Sequence, residues 1–391
     1  MFRFITVLLI CILSGAELDL FIPSFPELQK VFNLTPFMVQ LTLSLNFVAY
    51  CICCLFAGTL GDRYNRRTII LVGLSIFVLG SLLCVTAANF PMLIVGRFLQ
   101  GIGMAGPSVL GFVVIADEYP LEKQPAMMGI LNGMITIAMA FAPVLGSYIN
   151  YYFDWRANFA LLLALSMICL IASFFAIPSR KGDKTISLSP AAYLPLLKSG
   201  RQNAYVIGIG FLILPYWVFI GMAPIFYMED LGVPIKEFGY YQGAMAGVFS
   251  ICSIFSSKIL DWLKHDRCLY IGMGLCGVSA ILFALIMFFD IQNPIIITGI
   301  MVILAIGMVF PINILYPQSL QVIENSKGRA AALISSFRLI TTALALELVS
   351  YFYDGKFLPI GLLIFFSLII AAFFIQQLLS KNWVSLAKNE G

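Results

Sequence analysis

Charge is scarce in this sequence and histidine is almost absent. Of the 391 residues, only 11 % are Asp, Glu, Lys or Arg, and the one histidine, His265, lies in a basic loop. A soluble domain carries roughly 25 % charged residues, so this chain lacks the polar material for a water-exposed surface. A histidine metal site is disfavoured, and we predict no bound metal, no nucleic-acid partner and no catalytic residue.

Recognisable catalytic motifs are missing as well. The sequence holds no Walker-type phosphate loop and no H-E-x-x-H or G-x-S-x-G cluster, which argues against direct use of ATP and against an intramembrane enzyme. Its nine cysteines lie almost all inside apolar runs and show no zinc or disulfide spacing in a polar loop. We interpret them as small apolar packing residues.

Long apolar runs make up most of the chain, which is 61 % hydrophobic. Runs of about 20 residues cross a hydrocarbon core of about 30 Å as helices. Strands of a membrane barrel would be about 10 residues long and alternate apolar with polar, which these runs do not. The sequence therefore predicts an all-α polytopic membrane protein with twelve spans. We place them at 4–29, 38–60, 68–88, 91–116, 126–150, 157–177, 203–228, 238–260, 267–289, 294–322, 329–352 and 357–379.

Loop charge predicts the orientation of these spans. With both termini in the cytoplasm, most Lys and Arg residues fall in cytoplasmic segments, as the positive-inside rule requires. The outer segments hold only Lys30, Arg156, Lys236 and Lys356. Residues 1–16 also have the features of a signal peptide, with Arg3, an apolar run and a small-residue site. We expect them to be retained instead, because the first predicted span continues through residues 17–28.

The polar stretch from Pro178 to Gln202 is the longest in the chain, and it divides the spans six and six. We predict an N-terminal six-helix bundle (1–177), a cytoplasmic linker (178–202) and a C-terminal six-helix bundle (203–391). A duplicated six-helix half, giving two pseudo-symmetric bundles, is the architecture of major facilitator carriers.

The segment from Gly58 to Arg67 reads G-T-L-G-D-R-Y-N-R-R and resembles the signature G-x-L-x-D-R-x-G-R-R of the major facilitator superfamily. Asn65 stands in place of the usual glycine, and we expect it to keep the turn because asparagine tolerates the left-handed backbone. The resemblance implies a cytoplasmic gate that bridges the two halves. The implied gating residues are Gly58, Gly61, Asp62, Arg63, Arg66 and Arg67. An ordinary cluster of positive charge is the alternative, and it explains the arginines but not Asp62 or the glycines.

Span 4 contains Arg97-Phe98-Leu99-Gln100-Gly101, which resembles a second motif of the family, R-x-x-Q-G. An unpaired arginine inside a membrane costs about 3 kcal/mol or more. We expect Arg97 to face the central cavity near an acid, and Gln100 to line the substrate cavity. Snorkelling of Arg97 to the outer surface past Pro91 is the alternative.

Span 5 ends with Ala142-Pro143-Val144-Leu145-Gly146. This run resembles the G-P-x-x-G motif of drug–proton antiporters, with alanine at the first position, and the resemblance implies an exporter in which Pro143 and Gly146 are motif residues. Pure helix packing is the alternative. A stripe of small residues at spacings of four and five favours close backbone approach along the whole span: Gly129, Gly133, Ala138, Ala142 and Gly146.

Span 1 carries two carboxylates, Glu17 and Asp19, ahead of Pro23 and Pro26. Since proline has no N–H, the carbonyls of Asp19 and Ile22 should lose their helical partners. A broken helix beside carboxylates at membrane depth is a place for protons or cations.

The two carboxylates are about 200° apart around a helix, so they cannot both point into one cavity. The D-x-x-x-P-x-x-P run resembles helix 1 of the Bcr/CflA branch of these antiporters, which implies that Asp19 is the proton carrier. Glu17 is then a second proton carrier or a substrate contact. An interfacial position for Asp19 is the alternative, but Lys30 is about 16 Å farther along a helix.

The second half has fewer charges. Arg338 and Glu347 of span 11 fall on opposite helix faces by their spacing, and we expect them to line the substrate cavity. The aromatic and proline-rich span 7 also resembles Bcr/CflA members. Its Tyr216, Trp217 and Tyr227 are either substrate contacts or packing residues.

These features predict a proton-coupled secondary transporter that moves a small organic molecule by alternating access, chiefly an efflux antiporter for drugs or metabolites. Arg97 would stabilise the ionised form of Asp19 or Glu17. We expect protons as the coupling ion, no cofactor, membrane lipid and a small-molecule substrate as partners, and a monomer in the bacterial inner membrane.

Two other functions are open. A siderophore or nutrient anion is an alternative cargo, because Glu17 and Asp19 opposite Arg97 and Arg338 would make a cavity of both signs. A membrane sensor that binds its ligand without moving it is a more remote alternative, since the chain has no large soluble output domain.

Overall fold

The computed structural model describes residues 2–120, 124–179, 193–263, 265–323 and 327–384. Within these ranges the chain forms helices joined by short connections and contains no strand, which confirms the predicted all-α class. Two compact units emerge: residues 1–189 together with 234–243, and residues 190–233 together with 244–391.

Among the described residues, the first unit contains seven complete helices, a 3₁₀ turn and the start of an eighth helix. These elements are α1 (Phe2–Asp19), the 3₁₀ turn (Ile22–Ser24), α2 (Phe25–Phe32), α3 (Pro36–Arg63), α4 (Arg66–Val85), α5 (Phe90–Glu118), α6 (Gln124–Tyr152), α7 (Trp155–Ala176) and the residues of α10 (Ile235–Leu263) up to Gly243.

In the part of the second unit that the structure describes, the rest of α10 is joined by six further helices. They are α8 (Leu194–Lys198), α9 (Gly200–Pro224) with a π-helical turn (Ile225–Asp230), α11 (His265–Phe289), α12 (Pro294–Ser319), α13 (Lys327–Tyr351) and α14 (Leu358–Ser380).

Eleven helical segments of the described ranges are long and apolar enough to cross a membrane. Eleven of the twelve predicted spans correspond to these segments. The remaining span, 238–260, falls in α10, a continuous helix of 29 residues. Polar residues along α10, among them Gln242, Ser250 and Ser256, make it less apolar than most of the other spans.

The first predicted span is broken where the prolines require it. Helix α1 ends at Asp19, and the chain passes through the 3₁₀ turn into α2. One expected detail is wrong: the carbonyl of Ile22 is not free, because it accepts the N–H of Phe25. The tighter i→i+3 pairing of the 3₁₀ turn replaces the bond that Pro26 removes.

Asn65 does not adopt the left-handed backbone that the sequence led us to expect. Its φ of 179° and ψ of 125° are extended. Its side chain caps α4 by accepting the N–H of Arg67 at 3.0 Å, the ordinary role of asparagine at a helix start. Its amide also donates to the hydroxyl of Ser179 at 2.7 Å. Asparagine therefore replaces the glycine of the motif by capping, and left-handed flexibility plays no part.

Glycines bring α4 and α5 into direct backbone contact. A Cβ on Gly80 would lie 2.7 Å from the carbonyl oxygen of Gly96, and one on Gly103 would lie 2.7 Å from that of Gly73. Small residues allow such close crossings of membrane helices. The crossing holds α5 in the interior of the first unit, and with it Arg97.

Candidate functional site

Glu17 lies on α1 in the interior of the first unit, with 2 % of its surface exposed. Asn46 of α3 donates from Nδ2 to Glu17 Oε1 at 2.8 Å, and the same nitrogen donates to the backbone carbonyl of Arg97 at 3.0 Å. A buried charge is costly unless it is hydrogen-bonded. Asn46 supplies that bond and joins α1, α3 and α5 at the carboxylate.

Arg97 is fully buried, so the snorkelling alternative is wrong. Its Nη1 donates to Gln100 Oε1 at 2.6 Å, and its Nε donates to the backbone carbonyl of Thr42 at 3.2 Å. The guanidinium carbon lies 4.2 Å from the centre of the Phe21 ring, a cation–π distance. Arg97 and Glu17 interact electrostatically, with Asn46 bonded to both residues.

Gln100 is also fully buried. Besides accepting from Arg97, it donates from Nε2 to the hydroxyl of Ser81 on α4 at 2.8 Å. The oxygen of its amide thus bonds to the guanidinium of Arg97, and the nitrogen bonds to the neighbouring helix α4. This placement makes Gln100 a support for Arg97, whereas we had expected a wall of the substrate cavity.

Asp19 ends α1 and, like Glu17, is 2 % exposed. Gln242 of α10 donates from Nε2 to Asp19 Oδ1 in a long hydrogen bond of 3.4 Å. The two carboxylates therefore have partners on different helices, α3 for Glu17 and α10 for Asp19. This separation follows from their angular distance around the helix.

The span 5 motif lies on α6 beside the break in the first span. A Cβ on Gly146 would collide with the backbone carbonyl of Leu20, and Asn158 of α7 donates to the carbonyl of Gly146 at 3.2 Å. The carbonyl oxygen of Pro143 lies 3.0 Å from the place that a Cβ on Gly239 of α10 would take. The motif thus packs against the chain next to Asp19 and against the part of α10 that carries its partner Gln242.

The rest of the small-residue stripe behaves differently. A Cβ added at Gly129 or Gly133 would meet no other atom within 4 Å. The expectation that the whole stripe allows close backbone approach is therefore wrong at these two positions, because no neighbouring helix crosses α6 there within the described residues.

Two arginines of the predicted gating segment are held inside the first unit. Arg66 forms an ion pair with Asp117 of α5. Arg67 donates from Nη2 to the backbone carbonyl of Phe174 on α7 at 2.7 Å. The start of α4 is therefore tied to the ends of two neighbouring helices.

Gly61 and Arg63 complete the described part of that segment. A Cβ on Gly61 would lie 2.5 Å from the side chain of Leu110 on α5, so a larger residue there would require Leu110 to shift. The Arg63 guanidinium lies 5.7 Å from the centre of the Tyr64 ring. Two further positions lie outside the described residues except for their helical backbone: Gly58 and Asp62.

A cation and an aromatic pair lie together in the second unit. The Arg338 guanidinium carbon is 5.9 Å from the centre of the Trp217 ring. Tyr216 meets Trp217 edge to face at 5.9 Å and lies 5.8 Å from Phe249. Arg338 and Trp217 are half-buried, so both keep some accessible surface on α13 and α9.

The other two residues expected in the substrate cavity are placed inside the unit. The Tyr227 hydroxyl lies 2.8 Å from that of Thr298 and donates to the carbonyl of Pro294 at 3.2 Å, which favours the packing alternative for this tyrosine. Glu347 lies on α13 with both carboxylate oxygens buried.

Sequence reasoning missed Asn46 and Gln242. Each is an isolated amide within an apolar span, and a buried amide without a partner costs several kcal/mol in an apolar medium. That cost predicts that each of these amides has a hydrogen-bond partner. The identity of the partner depends on which helices cross, and the sequence pattern does not contain it.

Comparison with known proteins identifies a family and several curated relatives. The family model described as Major Facilitator Superfamily matches residues 7–346. The chain is 26 % identical over 271 residues to the multidrug resistance protein MdtL of Salmonella heidelberg (strain SL476), which covers 68 % of each chain. The MdtL of Salmonella dublin is 25 % identical over the same length.

Solved structures show the same fold at low identity. A D-xylose-proton symporter has a TM-score of 0.74 at 14 % identity, covering 95 % of this chain and 97 % of its own. A bacterial homologue of the human lysosomal transporter Spinster has a TM-score of 0.73 at 16 % identity, covering 99 % and 98 %. With the family match across most of its length, the chain belongs to the Major Facilitator Superfamily and is a multi-pass inner-membrane transporter, not an enzyme.

Proposed function

We propose that this transporter is a proton-coupled exporter of drugs or drug-like metabolites. The observation that carries the proposal is the pair of buried carboxylates, Glu17 and Asp19, at the end of α1 where the first span is broken. Ionisable groups inside a membrane protein are expensive and mark ion pathways. Two such groups within one helical turn therefore favour a role in moving protons.

The proposed coupling uses the two amide partners. A charged carboxylate at these positions needs donors, and Asn46 and Gln242 each supply one. Asp19 is the proton carrier in this proposal, and Glu17 with Arg97 forms a fixed ionic partner beside it. Substrate and proton then compete, and only the protonated or the substrate-loaded carrier changes its facing state.

Export of drugs is supported by the relatives, which are named multidrug resistance proteins. The alternative of a siderophore or nutrient anion relied on a cavity lined by Arg97 and Arg338. Arg97 is fully buried among Phe21, Gln100 and Thr42. It is therefore not available to bind an anionic cargo, which favours a neutral or cationic cargo.

Several finer features belong to the same proposal. Both termini face the cytoplasm, the two halves are residues 1–177 and 203–391, and the carrier works as a monomer without a cofactor. The segment from Gly58 to Arg67 acts as the cytoplasmic gate. Arg338, Trp217 and Tyr216 form the contribution of the second half to substrate binding.

The test is proton-driven transport in inverted membrane vesicles. A panel of cationic, zwitterionic and neutral drugs is first screened by ligand-induced stabilisation of the purified protein, with ethidium as the starting probe. Asp19→Asn should bind the selected drug but lose accumulation against its gradient. Asp290→Asn, in an exposed loop beside Lys356, is the matched control and should transport normally. If Asp19→Asn still moves the drug uphill, the assignment of Asp19 is wrong.

A further inference from the structure

Gln242 lies fully buried against Asp19 with half of its amide unused. Its Nε2 donates to Asp19 Oδ1 at 3.4 Å, whereas its Oε1 is buried and has no hydrogen-bond partner among the described residues. Burying a carbonyl oxygen without a hydrogen-bond donor is unfavourable. A glutamine with a free acceptor beside a carboxyl group is therefore an arrangement that needs a reason.

The helix that carries Gln242 is held close to α6. A Cβ on Gly239 would lie 2.8 Å from Val144 Cα, and one on Gly243 would lie 2.8 Å from Val144 Cγ2. These two glycines flank Gln242, and they leave little freedom for this part of α10 to shift relative to α6. The amide is therefore presented to Asp19 from a fixed position and has to adapt by rotation about its own side-chain bonds.

Charged and titratable groups on α1 and on the elements packed against it mostly have other partners. On α1, α5, α6, α7 and the start of α10 they are, besides Asp19, the following: Arg3, Cys11, Glu17, Arg97, Asp117, Glu118, Tyr148, Tyr151, Tyr152, Arg156, Cys169, Lys236, Glu237, Tyr240 and Tyr241. Arg3 pairs with Glu118, and Asp117 pairs with Arg66. Glu17 and Arg97 interact with each other through space. The hydroxyls of Tyr148 and Tyr240 lie 2.5 Å apart. Lys236 lies over the Tyr151 ring at 3.8 Å, and Arg156 lies over the Trp155 ring at 4.2 Å.

We propose that Gln242 is a positioning residue that satisfies Asp19 in both of its protonation states. Its NH₂ group donates to the ionised carboxylate. When Asp19 takes up a proton, the new O–H donates to Gln242 Oε1, the acceptor that is now unused. The inference rests on the proposed function, because it assumes that Asp19 gains and loses a proton.

Glutamine suits this role because one side chain carries a donor and an acceptor. Methionine has nearly the same shape but offers neither group at useful strength. Hydrogen bonds to an ionised group are roughly twice as strong as those between neutral groups. Loss of the amide therefore destabilises ionised Asp19 more than neutral Asp19, and the pH at which Asp19 is half-protonated should rise.

The experiment reads the protonation of Asp19 directly. Infrared difference spectra of the purified full-length protein are recorded across pH, without substrate, and the carboxylic acid C=O band that disappears in Asp19→Asn is assigned to Asp19. In Gln242→Met the midpoint of this band should rise by about one pH unit, which corresponds to about 1.4 kcal/mol. Its frequency should also rise, because the neutral acid has lost its acceptor.

Two further variants keep the result interpretable. Gln202→Met removes another fully buried amide, on α9, whose side-chain atoms have no hydrogen-bond partner among the described residues, and it should leave the band unchanged. Gln242→Asn keeps an amide on a shorter side chain, so the midpoint should rise by less than in Gln242→Met. This variant provides the test if Gln242→Met proves unstable.

The infrared results distinguish failure of this inference from failure of the Asp19 assignment. An Asp19 band that titrates with the same midpoint and frequency in Gln242→Met overturns this inference and leaves the proposed function standing. If no band disappears in Asp19→Asn, Asp19 does not carry the proton, and its assignment in the proposed function fails together with the inference. A band that shifts equally in Gln202→Met also overturns it, since the effect is then not specific to the contact with Asp19.

Discussion

Asn46 donates a 2.8 Å hydrogen bond to the carboxylate of Glu17 while the same nitrogen donates to the backbone of Arg97 at 3.0 Å. One neutral side chain thus holds a buried acid and the backbone of a buried base. The acid and the base themselves interact through space.

Replacing Asn46 by leucine should therefore destabilise the protein. Glu17 and the carbonyl of Arg97 would both lose a donor, and an unsatisfied buried group costs about 1–3 kcal/mol. Denaturant unfolding of the purified protein measures the loss. Asn203→Leu is the control, because that amide bonds only to the backbone carbonyl of Leu197 near the surface and should cost less than about 1 kcal/mol. Equal stability of the wild type and Asn46→Leu would contradict the role given to Asn46.

Two glycines of α6 offer a matched pair of alanine substitutions. Gly146→Ala would place a methyl group on the carbonyl of Leu20, and overpacking of this kind typically costs about 1–3 kcal/mol. Gly129→Ala meets open space and should stabilise the helix by up to about 1 kcal/mol. Thermal unfolding in detergent should therefore move in opposite directions for the two variants.

The same pair separates packing from a role in transport. If Gly146→Ala lowers drug export while Gly129→Ala does not, the close contact between α6 and the helix break is needed for the transport cycle. Normal stability and export in Gly146→Ala would show that the segment around Leu20 can move aside without cost, against our reading of the contact.

The ion pair between Arg66 and Asp117 can be tested by exchanging the two charges. Arg66→Asp and Asp117→Arg each place like charges together, and each should reduce export. The double variant restores the pair and should recover most of the export. Its effect on the free energy of unfolding should stay within about 1 kcal/mol, since both groups are partly exposed. A double-mutant cycle on transport rates measures the coupling, and additive losses would exclude a functional pair.

Much of the fold could be predicted from local patterns. The break in the first span agrees with Pro23 and Pro26, since two prolines three residues apart remove two helical hydrogen bonds close together. A single proline such as Pro143 leaves α6 continuous. The angular separation of Glu17 and Asp19 follows from helix geometry alone, and their different partners agree with it. The lengths of the apolar runs predicted eleven of the spans to within a few residues.

Details that depend on a neighbour were predicted poorly. Asn65 was expected to act through backbone flexibility, but it caps α4. Gln100 was expected to line a cavity, but it supports Arg97 from the side of Ser81. The stripe on α6 looked continuous, but only part of it meets another helix. In each case the residue type allowed several roles, and the helix packed beside it selected one.

Sequence alone was enough to predict that this chain crosses a membrane many times as helices and belongs among major facilitator carriers. Apolar length, loop charge and short motifs are local properties that add up along the chain, so no contact is needed to read them. Only the tertiary structure decided that Asn46 bonds to Glu17 and that Gln242 bonds to Asp19. Those pairs join residues far apart in the chain, and a hydrogen bond forms only where helix crossings bring the two groups within about 3 Å.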